Sequence, residues 1–281
     1  MKNQLKFLFF ILLMFCSCSN IDSRTSSSLS FVPADSDIII NINDINNTKE
    51  FLSRNKTFSD IISSKKLILN QLNNLSSINS VSEGIFTLSS FGKNQIAYTY
   101  IRKTNSKDSI SLNDIVKGEY QKNKVFVDSS KNDNVYKVII DEYIISSSED
   151  IIIENIIRDY KNTYQNMGSE FLKIFKTIEK NELFNIIAKS GNFDLIDNQL
   201  NQIPFFPEST TSWIGYDVKY SLDNFYLSGA TRFNDSINGK ISILKNIYPT
   251  EIKTDNIIPN SFSSFLTFTI NDSERFIFNY K

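Results

Sequence analysis

Apolar and polar residues alternate over short stretches in much of this chain, which is typical of β-strands. The clearest case is 38–42, where isoleucines follow a turn at 33–37 and Asn43-Asp44 ends the run. Asp44 is also a favourable N-cap, so a helix is predicted over Ile45–Arg54. Two hairpins are predicted, one joining 85–91 to 95–103 and one joining 212–220 to 225–233.

Apolar residues three or four positions apart predict several helices. The predicted helices cover 57–66, 67–77, 111–121, 148–160, 169–180 and 192–199, and further short strands cover 124–128, 135–140, 142–147 and 182–189. Hairpins mixed with helices, without strict alternation of strand and helix, predict an α+β fold with an antiparallel sheet and several packed helices.

The folded part is predicted as one α+β domain over 31–256, in which Pro204 and Pro207 mark either an inner boundary near 201–210 or an exposed loop. The pattern of 38–44 returns at 266–272, and a proline precedes each copy. Two interpretations of 257–281 stay open. The segment is either a final strand of the same sheet or the truncated start of a second repeat, in which case the chain is part of a longer repeat protein.

The N-terminus has the pattern of an export signal. Lys2 and Lys6 precede an unbroken apolar run at 7–15, and Cys16 and Cys18 follow. The run is too short to span a bilayer, which takes about 20 apolar residues, and it suits the apolar region of a signal peptide. We therefore predict a signal peptide over 1–17 and a flexible serine-rich tether over 18–30.

A cysteine directly after such a run resembles the lipobox of bacterial lipoproteins. Phe15-Cys16-Ser17-Cys18 places a small serine before Cys18, whereas a bulky phenylalanine precedes Cys16. The resemblance, closest to lipoboxes of the Bacteroidota, implies acylation of Cys18 and cleavage before it. Ser19, rather than Asp, implies the outer membrane, and the periplasmic face is our prediction. The alternative is an ordinary secretory signal with incidental cysteines.

Composition then excludes whole classes of function. The 30 basic and 31 acidic residues are nearly balanced and no basic cluster occurs, so we expect no nucleic-acid partner. The chain has no histidine, and of its two cysteines Cys16 would be removed with the signal peptide and Cys18 would be acylated. Histidine-dependent catalysis, thiol nucleophiles and Cys/His metal sites are therefore excluded from a mature chain that begins at Cys18. Carboxylate chemistry, Ser-Lys chemistry, oxygen-ligated cations and binding without chemistry remain.

Four groups of residues could support such chemistry or binding, and each has a plain structural alternative. Asp35, Asp37, Asn43 and Asp44 could ligate a cation but lack a calcium-loop spacing. Asp141, Glu142, Glu149, Asp150 and Glu154 could supply a carboxylate pair, although acids are expected at a helix start. Ser-x-x-Lys occurs at Ser53, Ser63, Ser90 and Ser242, without partner motifs. The candidate binding surface comprises Trp213, Tyr216 and Tyr226, which could equally pack a core. No catalytic, metal or cofactor residue is predicted.

Four stretches together resemble a known group of proteins. The opening 31–44, the segment 144–155, Trp213-Ile214-Gly215-Tyr216-Asp217 and 257–260 are similar to uncharacterised Bacteroidota envelope lipoproteins of the DUF3352 type. That resemblance implies no catalytic residue. The sequence thus predicts a lipid-anchored, non-catalytic envelope protein, a binding or structural module for an envelope protein or glycan partner. The alternative is a periplasmic carboxylate-dependent glycan hydrolase.

Overall fold

The structure is a computed structural model that describes residues 27–55, 83–92, 95–104, 114–129, 134–162, 167–189, 213–220, 225–231, 243–248, 250–251 and 269–280. In these residues, ten strands form one antiparallel sheet with the order β10-β9-β8-β1-β2-β3-β7-β6-β5-β4. The strands are β1 (Ser36–Ile42), β2 (Gly84–Phe91), β3 (Gln95–Lys103), β4 (Asp114–Tyr120), β5 (Asn123–Asp128), β6 (Val135–Ile140), β7 (Tyr143–Ser147), β8 (Phe184–Lys189), β9 (Trp213–Tyr220) and β10 (Phe225–Thr231). The sheet and its helices confirm the predicted α+β class and both predicted hairpins.

The described helices are α1 (Ile45–Arg54), α2 (Asp150–Lys161), α3 (Ser169–Phe175) and α4 (Ser273–Tyr280), and a 3₁₀ turn spans Ser28–Phe31. The predicted cap of α1 is confirmed, since Asp44 Oδ1 accepts hydrogen bonds from the backbone N–H groups of Asn46 and Asn47 at 3.0 Å each. These bonds satisfy two of the N–H groups that a helix start leaves without intrahelical partners.

Strand β1 lies inside the sheet, between β2 and β8, and both of its faces are buried. Ile39 belongs to a core cluster formed with α2, α3 and the 3₁₀ turn, while Ile38 and Ile42 belong to a second cluster that includes α1. A strand buried on both faces needs apolar residues at successive positions. This requirement explains the isoleucine run that dominates the start of the folded chain.

The helix predicted over 111–121 is wrong, because residues 114–120 form strand β4. Val116 is β-branched and pairs with Phe126 of β5, and Ile115 pairs with Val127. The turn between the strands contains Gln121 and Lys122, with φ of 47° and 67°. Two successive positive φ angles are typical of a type I′ hairpin turn, which closes β4 against β5.

The helix predicted over 169–180 is shorter in the structure, where α3 ends at Phe175. Three hydrogen bonds account for the early end. Thr177 uses both its N–H and its hydroxyl to bond the carbonyl oxygen of Ile174, at 2.9 and 2.8 Å. Two residues later the N–H of Glu179 donates to Asp217 Oδ1 of β9 at 2.9 Å. The backbone is thereby drawn out of the helix and towards the sheet.

The other predicted elements have mixed outcomes. The strands at 124–128, 135–140, 142–147 and 182–189 and the helix at 148–160 are confirmed to within a few residues. The 3₁₀ turn begins inside the segment predicted as a tether. The signal peptide, the helices predicted at 57–66, 67–77 and 192–199, the prolines near 201–210 and residues 266–268 of the repeated 266–272 pattern lie outside the described residues.

Candidate functional site

The three aromatic residues of the candidate binding surface lie on the two strands at one edge of the sheet. Trp213 and Tyr216 are in β9, and Tyr226 is in β10. Tyr226 pairs with Lys219, and Tyr216 pairs with Gly229. Since alternate residues of a strand point to opposite faces, Trp213 and Tyr226 share one face and Tyr216 lies on the other. The structure does not bring the three side chains together.

Trp213 is part of the core beneath α3. Its side chain is only 7% exposed. The Trp213 ring meets the ring of Phe171 edge to face, with 5.1 Å between the two centroids. The ammonium of Lys189 lies 5.5 Å from the centroid of the Trp213 ring. Edge-to-face aromatic pairs and cations over indole rings both add to the energy of burial. Trp213 therefore packs α3 against β9.

Tyr216 is mostly buried on the opposite face. It packs against the second core cluster, and burial raises the pKa of its phenol to about 12. Its ring also explains Gly229 in the neighbouring strand. A Cβ at position 229 would lie 2.5 Å from Cδ1 of Tyr216 and 2.6 Å from the carbonyl oxygen of Gly215. Only glycine leaves room there for the tyrosine ring.

Tyr226 is the member of the trio that solvent reaches, with 61% of its surface exposed. Leu227 is 50% exposed, and Ser228 and Gly229 are exposed as well. The hairpin thus presents the outer edge of β10 rather than a flat aromatic face. Leu227 was missed in the sequence, although seven successive residues without charge, 225–231, were the available signal.

A buried polar cluster lies where β1, β8 and β9 meet. Asn185, fully buried, uses every hydrogen-bonding position of its amide. Its Oδ1 accepts from the side-chain Nδ2 atoms of Asn41 and Asn43, at 3.1 and 3.0 Å. Its Nδ2 donates to the carbonyl oxygen of Glu179 at 3.1 Å and to Oδ1 of Asp217 at 2.8 Å.

This cluster is a structural junction. Asp217 is 9% exposed, and the same Oδ1 also accepts the N–H of Glu179 at 2.9 Å. Asn43 donates a further bond to the carbonyl oxygen of Glu182 at 2.9 Å. Burying polar groups costs little only when they are hydrogen-bonded, as these are. The network fixes three strands and the loop after α3 relative to one another.

A second polar contact joins the start of β1 to the end of β2. The buried Asp37 accepts hydrogen bonds at Oδ2 from the N–H and the hydroxyl of Ser90, at 2.9 and 2.6 Å. Lys189 approaches Asp37 Oδ1 at 3.6 Å. Ser90 is the serine of one Ser-x-x-Lys match, and the lysine of that match, Lys93, lies outside the described residues. The lysine that shares a carboxylate with Ser90 comes from β8 instead.

The structure separates the carboxylates considered for glycan hydrolysis. Asp141 and Glu142 form the turn before β7, while Glu149 and Asp150 follow its far end. At about 3.3 Å per residue, the two groups are about 20 Å apart along the strand. Carboxylate pairs of glycoside hydrolases are about 5 to 10 Å apart. Members of the two groups cannot therefore act on one bond.

These carboxylates are also engaged locally. Asp141 accepts from the hydroxyl of Tyr160, and Glu142 pairs with Lys103 at 3.1 Å. At the start of α2, Asp150 pairs with Lys117 of the β4 edge strand.

The charges at the start of α2 shift one another's pKa. The hydrogen bond from Lys117 holds the pKa of Asp150 below its ordinary value and raises the pKa of Lys117. Burial raises the pKa of the neighbouring Glu149, with a smaller contribution from the charge of Asp150. The pKa values of Glu149 and Asp150 shift in opposite directions because Lys117 bonds only Asp150. The same contact links the β4–β5 hairpin to α2.

The candidate cation ligands are likewise divided. Asp35 and Asp37 lie at the start of β1, and Asn43 and Asp44 lie at its end, where they join the polar cluster and cap α1. Across the described ranges, no group of three or more acidic residues is placed to hold a metal ion. Among the helices described above, none is both long and apolar enough to cross a membrane.

Comparisons with known proteins give little likeness. No protein-family model matches the chain, and no curated protein matches it. A solved structure described as crystal form I of TP0453 is similar to it at 10% sequence identity, with a TM-score of 0.40, and the match covers 81% of this chain and 90% of that one.

Proposed function

We propose that this protein is a lipid-anchored, non-catalytic module of the cell envelope. Cys18 holds it at the periplasmic face of the outer membrane, where it binds or supports an envelope protein or glycan. The observation that carries the proposal is the N-terminal sequence, in which a basic start, a nine-residue apolar run and Cys18 follow in order. Three acyl chains on one cysteine would prevent release, because a single chain binds only marginally and two anchoring signals already hold a protein stably.

The engagement of polar side chains in the described core supports the non-catalytic part. The buried amide and carboxyl groups of Asn185 and Asp217 bond one another and the backbone, so they are committed to holding strands together. The glycan-hydrolase alternative ranks second, because its carboxylates lie at opposite ends of β7.

Replacement of the two cysteines tests the anchor. Cells expressing Cys18→Ser or, as the matched control, Cys16→Ser are labelled with a palmitate analogue and fractionated. We expect Cys18→Ser to lose the label and leave the membrane fraction, and Cys16→Ser to keep both. Label and membrane retention in Cys18→Ser would contradict the proposal.

A second experiment distinguishes binding from hydrolysis. The tagged protein is captured from detergent-solubilised envelope, and the same preparation is incubated with purified cell-wall glycan. We expect recovery of a specific partner and no new reducing ends. Release of reducing ends that Glu149→Gln abolishes would favour the hydrolase instead.

We also propose that 257–281 begins a second repeat of the unit that opens with β1 and α1. Two observations support this finer proposal. Asp272 caps α4 as Asp44 caps α1, since the N–H of Arg275 donates to Asp272 Oδ1 at 2.8 Å. Residues 115–119 of β4 and 226–229 of β10 are exposed, as expected if 257–281 adds no strand at either edge of the described sheet. Deletion of 257–281 should then leave the unfolding midpoint of the sheet unchanged, whereas a strand completing the sheet would lower it.

A further inference from the structure

Among the described strands, β4 and β10 form the two edges of the sheet, and they differ in how they are protected from pairing with other chains. Edge strands commonly carry charges, prolines or bulges, which prevent such pairing. Strand β4 has Asp114, Lys117 and Glu119, and its register shifts between Val116 and Gly118. Strand β10 has no charged residue and no proline, and its seven residues pair with β9 without a register shift.

The unprotected edge is also solvent-exposed. Four successive residues of β10, Tyr226 to Gly229, are exposed, including a glycine that has no side chain. Because Gly229 has no side chain, the surface that it exposes to solvent is backbone. The outward N–H and C=O groups of an edge strand form a template for another strand.

The size pattern of β10 is complementary to itself. The strand has bulky residues before Ser228 and small ones after it. In an antiparallel pair of two β10 strands centred on Ser228, Tyr226 lies opposite Ala230 and Leu227 lies opposite Gly229. Residues opposite each other in such a pair point to the same face, so Tyr226 would cover Ala230, and Leu227 would lie over Gly229 beside the ring of Tyr216.

We propose that the outer edge of β10 pairs antiparallel with the same edge of a second copy of this chain, about a two-fold axis at Ser228. The arrangement is isologous, so it closes at a dimer and does not propagate into a fibre. It joins two sheets into one and uses the backbone groups that β10 leaves outward. The β4 edge, with its charges and bulge, stays solvent-exposed.

The interface is small, so we expect moderate affinity. A pair of seven-residue strands buries less surface than the about 1,200 to 2,000 Å² that stable complexes bury. The pairing does not depend on the lipid anchor, which would only strengthen it by confining copies to one membrane and raising their effective concentration.

Cross-linking tests the geometry directly. Facing residues of an antiparallel pair have Cα atoms about 4.5 to 5.5 Å apart, within the range that a disulfide bridges. The full chain is purified in detergent as Ser228→Cys and, as the control at the other edge, Glu119→Cys. Any native thiol that remains after processing is the same in both variants and in the unsubstituted chain, so it gives a common background. Under mild oxidation we expect at least tenfold more linked dimer from Ser228→Cys than from either comparison.

A charged substitution at Ser228 tests the proposed two-fold axis without a covalent bond. Ser228→Lys places two lysines opposite each other, and like charges directly opposite destabilise strand pairing. Ser228→Thr, the matched control, stays uncharged and favours a strand. By analytical ultracentrifugation we expect at least tenfold weaker dimerisation for Ser228→Lys and no loss for Ser228→Thr, with circular dichroism verifying the fold. An unsubstituted chain that stays monomeric at 100 µM (about a hundredfold above a typical µM Kd), or equal cross-linking of both cysteine variants, would overturn the proposal.

Discussion

Asn185 offers the sharpest test of how the core is held together. Asn185→Asp keeps the shape of the side chain and its two accepted bonds. It replaces the N–H donors that now reach the carbonyl oxygen of Glu179 and Oδ1 of Asp217, at 3.1 and 2.8 Å. Two carboxylates would then face each other in a site where Asn185 is fully buried and Asp217 is 9% exposed.

The expected cost follows from these contacts. Losing one bond to a charged acceptor and one to a neutral acceptor removes about 2 to 4 kcal/mol. Two negative charges at that separation repel by about 6 kcal/mol at an effective dielectric constant of about 20. The pair avoids most of that repulsion by keeping one proton, so its folded-state pKa rises above the unfolded value near 4. If the proton resides on the introduced carboxyl, that group can also donate to Asp217 again.

The pH dependence therefore has a defined sign. Because the folded pair binds its proton more tightly than the unfolded chain, the variant is most stable below about pH 4 and loses stability as pH rises through the raised pKa. Urea unfolding at about pH 4.5 and 8 should show a loss of about 4 kcal/mol or more at the higher pH and about half of that at the lower. Asn123→Asp, where β5 begins beside the β4–β5 turn, is the control. It replaces the donor of one exposed hydrogen bond, to the carbonyl oxygen of Gln121, and should change the free energy of unfolding by at most about 0.5 kcal/mol. A variant that loses under 1 kcal/mol (about a fivefold change in the folding equilibrium) at both pH values would refute the reasoning.

Three further predictions concern the strands around this core. Gly229→Ala should lower the free energy of unfolding by about 1 to 3 kcal/mol, because the added Cβ would lie 2.5 Å from the ring of Tyr216. Gly118→Ala is the control and should be neutral or stabilising, since no atom lies within 4 Å of a Cβ there. Equal urea midpoints for the two variants would contradict this. Tyr216→Phe should unfold less readily in alkali than the unsubstituted chain between pH 10 and about 12. In that range the phenol of Tyr216 is neutral in the folded protein and ionised in the unfolded chain, which favours unfolding. Identical alkaline unfolding curves would argue against the burial of this phenol. Lys117→Gln should cost under about 1 kcal/mol, and the difference should disappear as pH falls from 3.8 through the lowered pKa of Asp150; a loss that persists in acid would indicate packing instead.

Local signals made part of the fold predictable. Asp44 before an amphipathic stretch predicted α1 with the bounds that the structure has. This signal is local, because the capping side chain bonds backbone N–H groups only two and three residues away. The strand β4 was missed for a physical reason. Its residues are mostly exposed, so apolar side chains do not alternate, and its place is fixed by pairing with β5.

Non-local features could not be read in the same way. Alternating aromatics predicted a hairpin, but only the position of α3 determines that Trp213 is buried and Tyr226 is exposed. One clue was present for the polar cluster. Asn41 and Asn185 interrupt apolar strands, and a polar residue in such a strand indicates a buried hydrogen-bonding partner, although its identity depends on strand order.

The position of β1 has a consequence for how the chain folds. Its β8 partner lies far along the sequence, and the contact between Asn41 and Asn185 closes a separation of 144 residues. Strands β4 to β7 pair with sequence neighbours and can form early, whereas such a distant pairing is slow because of its loop-closure entropy. Until β8 arrives, one side of the isoleucine strand remains an open edge. We therefore expect aggregation during folding to start at β1, and a chaperone that shields 36–42 during that interval to raise the yield of folded protein.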